Sequence, residues 1–524
     1  MRNKQYELYE HPQIHSYVDL VSIKYEKHRD KVAFAWYDKN ELQKATYGDF
    51  ANDICILADK MELIARQEKH IGIIGENSYD WLVVYLAIVF SGNVAVLLDK
   101  DMCEEELSDC IERMDISILL SDTVHAEKCK NLCDSVEVRD FEGFIKQEVS
   151  GATIKSLKDF RIENPDKVCS IFLTSGTTGK RKGVMLTHRN IATDINETCK
   201  LLEVKGNTLS VLPFHHAYGL ISGIWPYFHS GHTIYISQGL RRLQKELILV
   251  KPQTITLVPL FVESFLKQIR MSVKNDKRKK NVFRFMRFSD SLYHMGIDIR
   301  RKIFREIIDS FGGHLEYIVC GGAYLDPIYV KEFRSYGIEV LNGYGTTECS
   351  PVVAVNRNHY FEDDSVGIPL PNSRVKISHD GEIMISGDHV MAGYYNEPEE
   401  TEAVMEDGWY KTGDLGEIND KGFIRITGRK KNLIILSSGE NISPEEIEER
   451  LMRIDGIDEV LVKAENNELT AEIYAKDADE KMREKIQNDI DGLNRSMPMY
   501  KRVTRVRFRS ESFPKTTTSK IIRG

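Results

Sequence analysis

The segment Cys169–Gly183 reads CSIFLTSGTTGKRKG. An apolar, β-favouring run, Cys169–Leu173, passes directly into ten residues, Thr174–Gly183, that hold three glycines, four hydroxyl side chains and three cations. Glycines allow the backbone to approach a ligand closely, and its N–H groups, with the hydroxyls and charges, can then wrap a polyphosphate at the strand's end. A solvated Gly/Thr turn has the same composition, so the loop taken alone leaves both readings open. It is not a Walker loop. Gly176 is not followed at the required distance by Gly-Lys-Ser/Thr, which excludes a P-loop NTPase.

Outward from this loop, short β-branched runs alternate with helical stretches: HIGIIGEN, the run WLVVYLAIVF at Trp81–Phe90, NVAVLLD, then HTIYIS, TITLVP and LEYIVC. That alternation predicts an α/β protein of doubly wound layers with mostly parallel sheets. The Trp81–Phe90 run is about half of the roughly 18–20 residues a bilayer span needs, and Ser91-Gly92-Asn93 ends it, so a buried helix turning into a buried strand is expected. From Ser365 the texture changes to VGIPLPNSRVKISHDGEIMISG, expected to form hairpins of a small β subdomain. SPEEIEERLMRI predicts a capped amphipathic helix, with Ser443 as N-cap, Pro444 at the first helical position and Glu446 closing a capping box. The domain boundary is placed near Arg429–Lys431. It separates an N-terminal domain, residues 1–429 with the β subdomain from about 365, from a small α+β C-terminal domain, residues 430–524.

Composition excludes several classes. In 524 residues, 42% are hydrophobic and 29% charged, the balance of a folded protein with a large core rather than a disordered chain. The formal net charge of −9, from 71 basic and 80 acidic residues, provides no global field for nucleic acid. Nine scattered cysteines without paired C-x2-C spacing suggest neither a disulfide framework nor a zinc site. The polar start MRNKQYELYEHPQIHSY lacks the apolar stretch of a secretory signal, so a cytoplasmic location is expected.

Further motifs fall at predicted strand ends, where open α/β sheets bind ligands. Asn342-Gly343-Tyr344-Gly345-Thr346-Thr347-Glu348 offers an aromatic face for a base, two hydroxyls and a carboxylate able to hold Mg2+, although a plain glycine turn also fits. Cys320-Gly321-Gly322-Ala323 is small enough for a purine to lie against backbone. Tyr410-Lys411-Thr412-Gly413-Asp414 presents one acid, able to accept both hydroxyls of a ribose, and Gly428-Arg429 can add a cation. Phe513-Pro514-Lys515-Thr516-Thr517-Thr518-Ser519-Lys520 places a lysine almost at the end of the sequence.

In this order and spacing, TSGTTGKRKG, GYGTTE, YKTGD, GRKKNLIILSSGENISPEEIEE and PKTTTSKIIR closely resemble the motifs of the adenylate-forming (AMP-binding) superfamily, most like long-chain-type fatty acyl-CoA synthetases, across almost the whole chain. The resemblance implies a two-step reaction: a carboxylate attacks the α-phosphate of ATP to give an acyl-adenylate and pyrophosphate, and the thiol of coenzyme A then takes the acyl group. By resemblance, Thr174, Ser175, Gly176, Thr177, Thr178 and Lys182 would grip the β- and γ-phosphates, with Thr174 also near the metal. Gly345, Thr346 and Glu348 would serve the α-phosphate and Mg2+. Gly322, Ala323, Asn342 and Tyr344 would surround adenine, and Asp414 with Arg429 would hold ribose. Lys520 would bridge carboxylate and α-phosphate. Lys431 takes the hinge position about which the family's mobile C-terminal domain rotates, and Ser438, Gly439 and Glu440 would line the thiolation face.

Leu212-Pro213-Phe214-His215-His216-Ala217-Tyr218-Gly219 resembles the segment lining the family's acyl pocket, with His216 at the usual histidine. It has no aspartate for a substrate ammonium, which disfavours an amino acid and points to a fatty or other apolar acid. His215 stands where the commoner pattern has Phe, Arg181 replaces a frequent Pro, and Ser519 replaces the Gly before the lysine. The basic and apolar block Lys267–Arg305 could rest peripherally on an anionic membrane, or be a solvated helix face. Two alternatives stay open: an acyl-AMP ligase that hands its product to an acyl carrier protein, and a non-catalytic relative of the fold.

Overall fold

The strand predicted before the Gly-rich loop is Val168–Ser175, and it joins the largest sheet of the protein. The computed structural model describes residues 7–39, 41–65, 68–130, 132, 136–146, 155–175, 180–275, 282–435, 441–465, 468–476, 478–515, 521 and 523. By packing, the chain divides into two units, Met1–Arg374 with Ile385–Tyr410, and Val375–Met384 with Lys411–Gly524.

In the first unit the large sheet runs Gly393–Tyr394, Arg181–Thr187, Val168–Ser175, Val94–Leu97, His70–Ile74, Ile116–Ser121, Glu137–Asp140. The five strands from Val168–Ser175 onward are mutually parallel, whereas Arg181–Thr187 returns antiparallel with Lys182 opposite Thr174. The helix Tyr79–Phe90 is buried at every residue except Asp80, as an all-round apolar helix must be. Ser78 caps it by accepting the Trp81 N–H at 3.1 Å. A second sheet orders Thr254–Leu257, Tyr317–Cys320, Glu339–Gly345, Val352–Val355 and Ile368–Pro369, the first three strands parallel. A third joins Glu41–Thr46, Val32–Asp38, Ile234–Ile236 and Thr208–Ser210. No helix among the described residues is long and apolar enough to cross a membrane.

The stretch expected to form one β subdomain feeds three sheets. Ile368–Pro369 pairs with Val352–Val355, and Gly393–Tyr394 pairs with Arg181–Thr187. Strands of two residues take their partners from long-range packing, which local texture does not reveal. Arg374–Ile377, Glu382–Ser386, Trp409–Ile418, Met405–Glu406 and Ile424–Arg429 form a five-stranded sheet, and the first three each carry the chain from one unit to the other.

In the second unit, Glu459–Glu465, Glu468–Tyr474 and Val503–Arg509 form a three-stranded sheet. Helices Pro444–Met452 and Glu480–Asn494 bury Ile447, Leu451, Ile486 and Ile490 in the same core as Val462, Ala471 and Ile473. Ser443 and Pro444 begin the first helix as expected, but the capping box is not formed. The Ser443 hydroxyl donates to Glu445 Oε2 at 2.8 Å, and Glu446 pairs instead with Arg450 and Lys501. Packing puts residues 411–429 with the C-terminal unit.

Candidate active site

Strand pairing gathers the first group of candidate residues. Lys182 Nζ lies 2.6 Å from Glu400 Oε2 and 4.8 Å from the centroid of the Tyr394 ring. The Tyr394 hydroxyl donates to Glu348 Oε1 at 2.8 Å. Backbone bonds lock this arrangement: Tyr395 N–H donates to the Gly183 carbonyl and Met391 N–H to the Glu348 carbonyl, both at 2.8 Å. Burial, then the Glu348 carboxylate, raises the Tyr394 phenol, which therefore stays protonated as a donor. A cation over an aromatic face beside two carboxylates can exchange Glu400 for an incoming polyanion. Thr174 is the direct cross-strand partner of Lys182. Gly176, Thr177 and Thr178 lie outside the described residues, as does the side chain of Ser175.

The parallel strands Tyr317–Cys320 and Glu339–Gly345 end side by side, with Cys320 opposite Asn342. Their continuations bring Gly322 and Ala323, both exposed, to the edge that carries Asn342 and Tyr344. Asn342 Oδ1 is buried without a hydrogen-bond partner, an acceptor suited to the exocyclic amine of a purine. Gly345 is required by contact, since a Cβ there would fall 1.7 Å from the Pro351 carbonyl oxygen. Thr346 Oγ1 is buried at the start of the turn Thr347–Cys349, which carries Glu348. Among the described residues no three His, Cys, Asp or Glu side chains gather to hold a metal. A cation at Glu348 would therefore take further ligands from phosphate and water, as Mg2+ commonly does.

The histidine segment is fixed to the first sheet. Asn77 Nδ2 donates to the Leu212 carbonyl at 2.7 Å, and Asn77 Oδ1 accepts the Phe214 N–H at 2.9 Å. Phe214 packs on Trp81 with ring centroids 5.4 Å apart. A π-helical turn, Tyr218–Ser222, follows, and a Cβ on Gly219 would sit 2.1 Å from the Pro213 carbonyl oxygen. Burial, then His216, Arg181 and Lys100, holds His215 well below the ordinary imidazole pKa. Burial also lowers His216, against the pull of Asp99. The Tyr218 hydroxyl donates to the Leu257 and Val319 carbonyls, each at 3.3 Å, and its ring lies against Gly321.

In the second unit Asp414 and Arg429 are cross-strand partners, with Arg429 Nε 2.6 Å from Asp414 Oδ1. Glu382 steadies the turn, accepting the Gly413 N–H at 2.9 Å and pairing with Lys430 at 2.8 Å. Lys430 also meets Asp380 at 2.6 Å, and hydrogen bonding from that ammonium brings Asp380 down to about 2. Lys431 is exposed in a short 3-10 turn, Lys430–Asn432. Ser438, Gly439, Glu440 and Lys520 lie outside the described residues. Tyr394, Glu400, Asn77 and Glu382 were not anticipated; Tyr394 and Glu382 follow Gly393 and Gly381, the only local sign of their placement.

In the block Lys267–Arg305, Arg270 pairs with Glu332, Arg300 with Asp298 and Glu339, and Arg301 donates to the Leu315 and Gly337 carbonyls. Arg300 is buried in these contacts and Arg301 half-buried, while Arg270 stays exposed.

A family model described as "AMP-binding enzyme" matches residues 22–395, and one described as "AMP-binding enzyme C-terminal domain" matches residues 431–524. The chain belongs to the AMP-binding enzyme family. This AMP-binding enzyme is 30% identical over 455 residues to long-chain-fatty-acid–CoA ligase 5 of Rattus norvegicus, a match covering 76% of this chain and 65% of that protein. It is 26% identical over 471 residues to long-chain-fatty-acid–CoA ligase FadD15 of Mycobacterium bovis, covering 83% and 78%. Among solved structures, ATP-bound MatB from Rhodopseudomonas palustris aligns with a TM-score of 0.78 at 22% identity, covering 96% of this chain and 97% of that one. The o-succinylbenzoate CoA synthetase of Bacillus subtilis with its acyl-adenylate gives 0.76 at 21%, covering 96% of each. The expected family and α/β fold are borne out.

Proposed function

We propose that this chain activates a fatty or similarly apolar carboxylic acid with ATP and Mg2+, releasing pyrophosphate, and passes the acyl group from the adenylate to coenzyme A, releasing AMP. The observation that carries this is the Lys182–Tyr394–Glu348 cluster, a cation and a carboxylate held together by one phenol. The buried, unpartnered Asn342 Oδ1 supports adenine at the neighbouring strand end. Thr174, Ser175, Gly176, Thr177, Thr178 and Lys182 would hold the outer phosphates, Gly345, Thr346 and Glu348 the α-phosphate and metal, with Thr174 also near the metal. Gly322, Ala323, Asn342 and Tyr344 would surround adenine, Asp414 with Arg429 would hold ribose, and His216 would face the acid. Glu348 and Thr174 would hold Mg2+, whose charge would offset that of the phosphates. Lys520 would donate to the carboxylate and α-phosphate, with Lys431 as the hinge that delivers it and Ser438, Gly439 and Glu440 toward coenzyme A.

The names of the curated relatives support a fatty acid and coenzyme A as substrates. The exposed Met271, Phe285 and Phe288 support peripheral contact with a bilayer, which sedimentation with anionic vesicles would test; no binding would remove that contact. Pyrophosphate release is to be measured over straight-chain, aryl and amino acids, each with and without coenzyme A. Release with an apolar acid, and thioester only with coenzyme A, is expected. Release with thioester formed only on a holo carrier protein would replace coenzyme A as acceptor. Silence with every acid would make the chain a non-catalytic member of its family.

A further inference from the structure

Two side chains on separate segments converge on one buried carboxylate. Asp99, two residues beyond the strand Val94–Leu97, is 2% exposed. Its Oδ1 accepts the Asp101 N–H at 3.0 Å and lies 3.4 Å from His215 Nε2. Its Oδ2 has no hydrogen-bond partner and lies 3.6 Å from Arg181 Nη1. Arg181 immediately precedes Lys182; its guanidinium also approaches Glu106 at 3.8 Å, and its carbonyl accepts Arg113 Nη1 at 2.9 Å. His215, itself 7% exposed, packs ring to ring with His216 at 4.3 Å.

A buried carboxylate persists only where donors and opposite charge face it. Here the Asp101 N–H is the donor, and the two side chains that face the carboxylate come one from the strand that carries Lys182 and one from the segment that carries His216. Neither Arg181 nor His215 is the commoner residue of the superfamily pattern, and both departures meet at the same anion. We infer that Asp99 is a positioning residue tying the Lys182 strand, through Arg181, to the His215–His216 wall, so that the nucleotide and acyl sites are set by one anchor. This rests on the proposed assignment of Lys182 to ATP and His216 to the acid. A shift of either arm is then felt at the other, because the carboxylate moves with whichever partner remains.

The test is a mutant cycle of Arg181→Leu, His215→Phe and the pair, in the wild-type background and in Asp99→Asn. It is read as the Kd for Mg·ATP by calorimetry and as KM for the acid and kcat for pyrophosphate release. Each single substitution is expected to raise both Kd and KM by about three- to tenfold with kcat changed less, and the pair to be no worse than the worse single. In Asp99→Asn neither substitution adds a further effect, and Arg181→Lys restores part of the Mg·ATP affinity. A merely structural role would lower kcat through lost active protein while leaving Kd and KM unmoved, and that result overturns the inference, as do strictly additive effects. Should Asp99→Asn not fold, the two singles and their pair decide. A wild type that neither binds Mg·ATP nor turns over any acid contradicts the proposed function instead. The same cycle read in urea midpoints then judges the anchor: non-additive shifts sustain it, additive shifts overturn it.

Discussion

The Lys182 cluster of the first unit and the Asp414–Arg429 pair of the second both hold charged side chains through strand pairing, but over different lengths of chain. Lys182 and Glu400 are separated by 218 positions and Tyr394 and Glu348 by 46, whereas Asp414 and Arg429 face each other across one antiparallel pair of neighbouring strands. A local pair forms wherever its hairpin forms. The Lys182 cluster exists only once Gly393–Tyr394 has docked on Arg181–Thr187, so it depends on the completed fold of the first unit.

The largest effect is expected where the second unit contributes chemistry rather than grip. Lys520→Ala should slow adenylate formation by about 100–1,000-fold, the usual loss for a transition-state donor, with Mg·ATP affinity by calorimetry nearly unchanged. Pyrophosphate release at the wild-type rate would leave the second unit with grip alone. Arg429→Ala takes one cation away from the Asp414 carboxylate, which is only 3% exposed. It should raise the KM for ATP by about tenfold and lower stability by about 0.5–1.5 kcal/mol, the net worth of one hydrogen bond; Arg429→Lys should recover part of both.

Acid separates the two units. Burial lowers His188 and His389 to about 4 and His229 to about 3, all in the first unit. A histidine whose folded pKa is depressed contributes stability above its unfolded pKa, near 6.5, and loses it as pH falls toward the folded value. Asp53, Asp194 and Glu263, raised by burial, work in the opposite sense, against these three histidines and His11, His28, His215, His216 and His232, which burial also lowers. The urea midpoint should therefore fall between pH 6.5 and pH 4, with proteolysis cutting first within the first unit; a flat midpoint would remove these histidines as determinants. The smallest change is expected from Glu400→Gln. It releases Lys182 from a half-exposed partner and should tighten Mg·ATP by about two- to fivefold, the scale of a surface ion pair, whereas weaker binding would make Glu400 part of the grip.

Much of the fold is legible in sequence because its signals are local. The β-branched runs at His70–Ile74, Thr254–Leu257 and Tyr317–Cys320 are strands, and Trp81–Phe90 lies in a buried helix. Asn342, Gly345 and Glu348 sit on one strand and the turn after it, so spacing alone places them together. Tyr394, Glu400 and Asp99 carry no such signal: their partners Lys182, Glu348, Arg181 and His215 lie far away in sequence, and the tertiary fold brings them into contact. At Ser443 the capping box is replaced by a Ser443–Glu445 hydrogen bond, with Glu446 paired to Arg450 and Lys501. Lys520 and the Ser438–Glu440 segment keep the status given by resemblance, since they lie outside the described residues.

On the proposed function, the Lys182–Tyr394–Glu348 cluster handles the phosphates of ATP while an acid attacks, before any thiol is involved. Exchange of labelled pyrophosphate into ATP, run without coenzyme A, tests it most directly. The wild type should exchange only when an apolar acid is present, and Glu348→Gln should exchange about 100-fold more slowly, within the range for loss of a transition-state electrostatic partner. Exchange that requires coenzyme A, or that continues undiminished in Glu348→Gln, would contradict it.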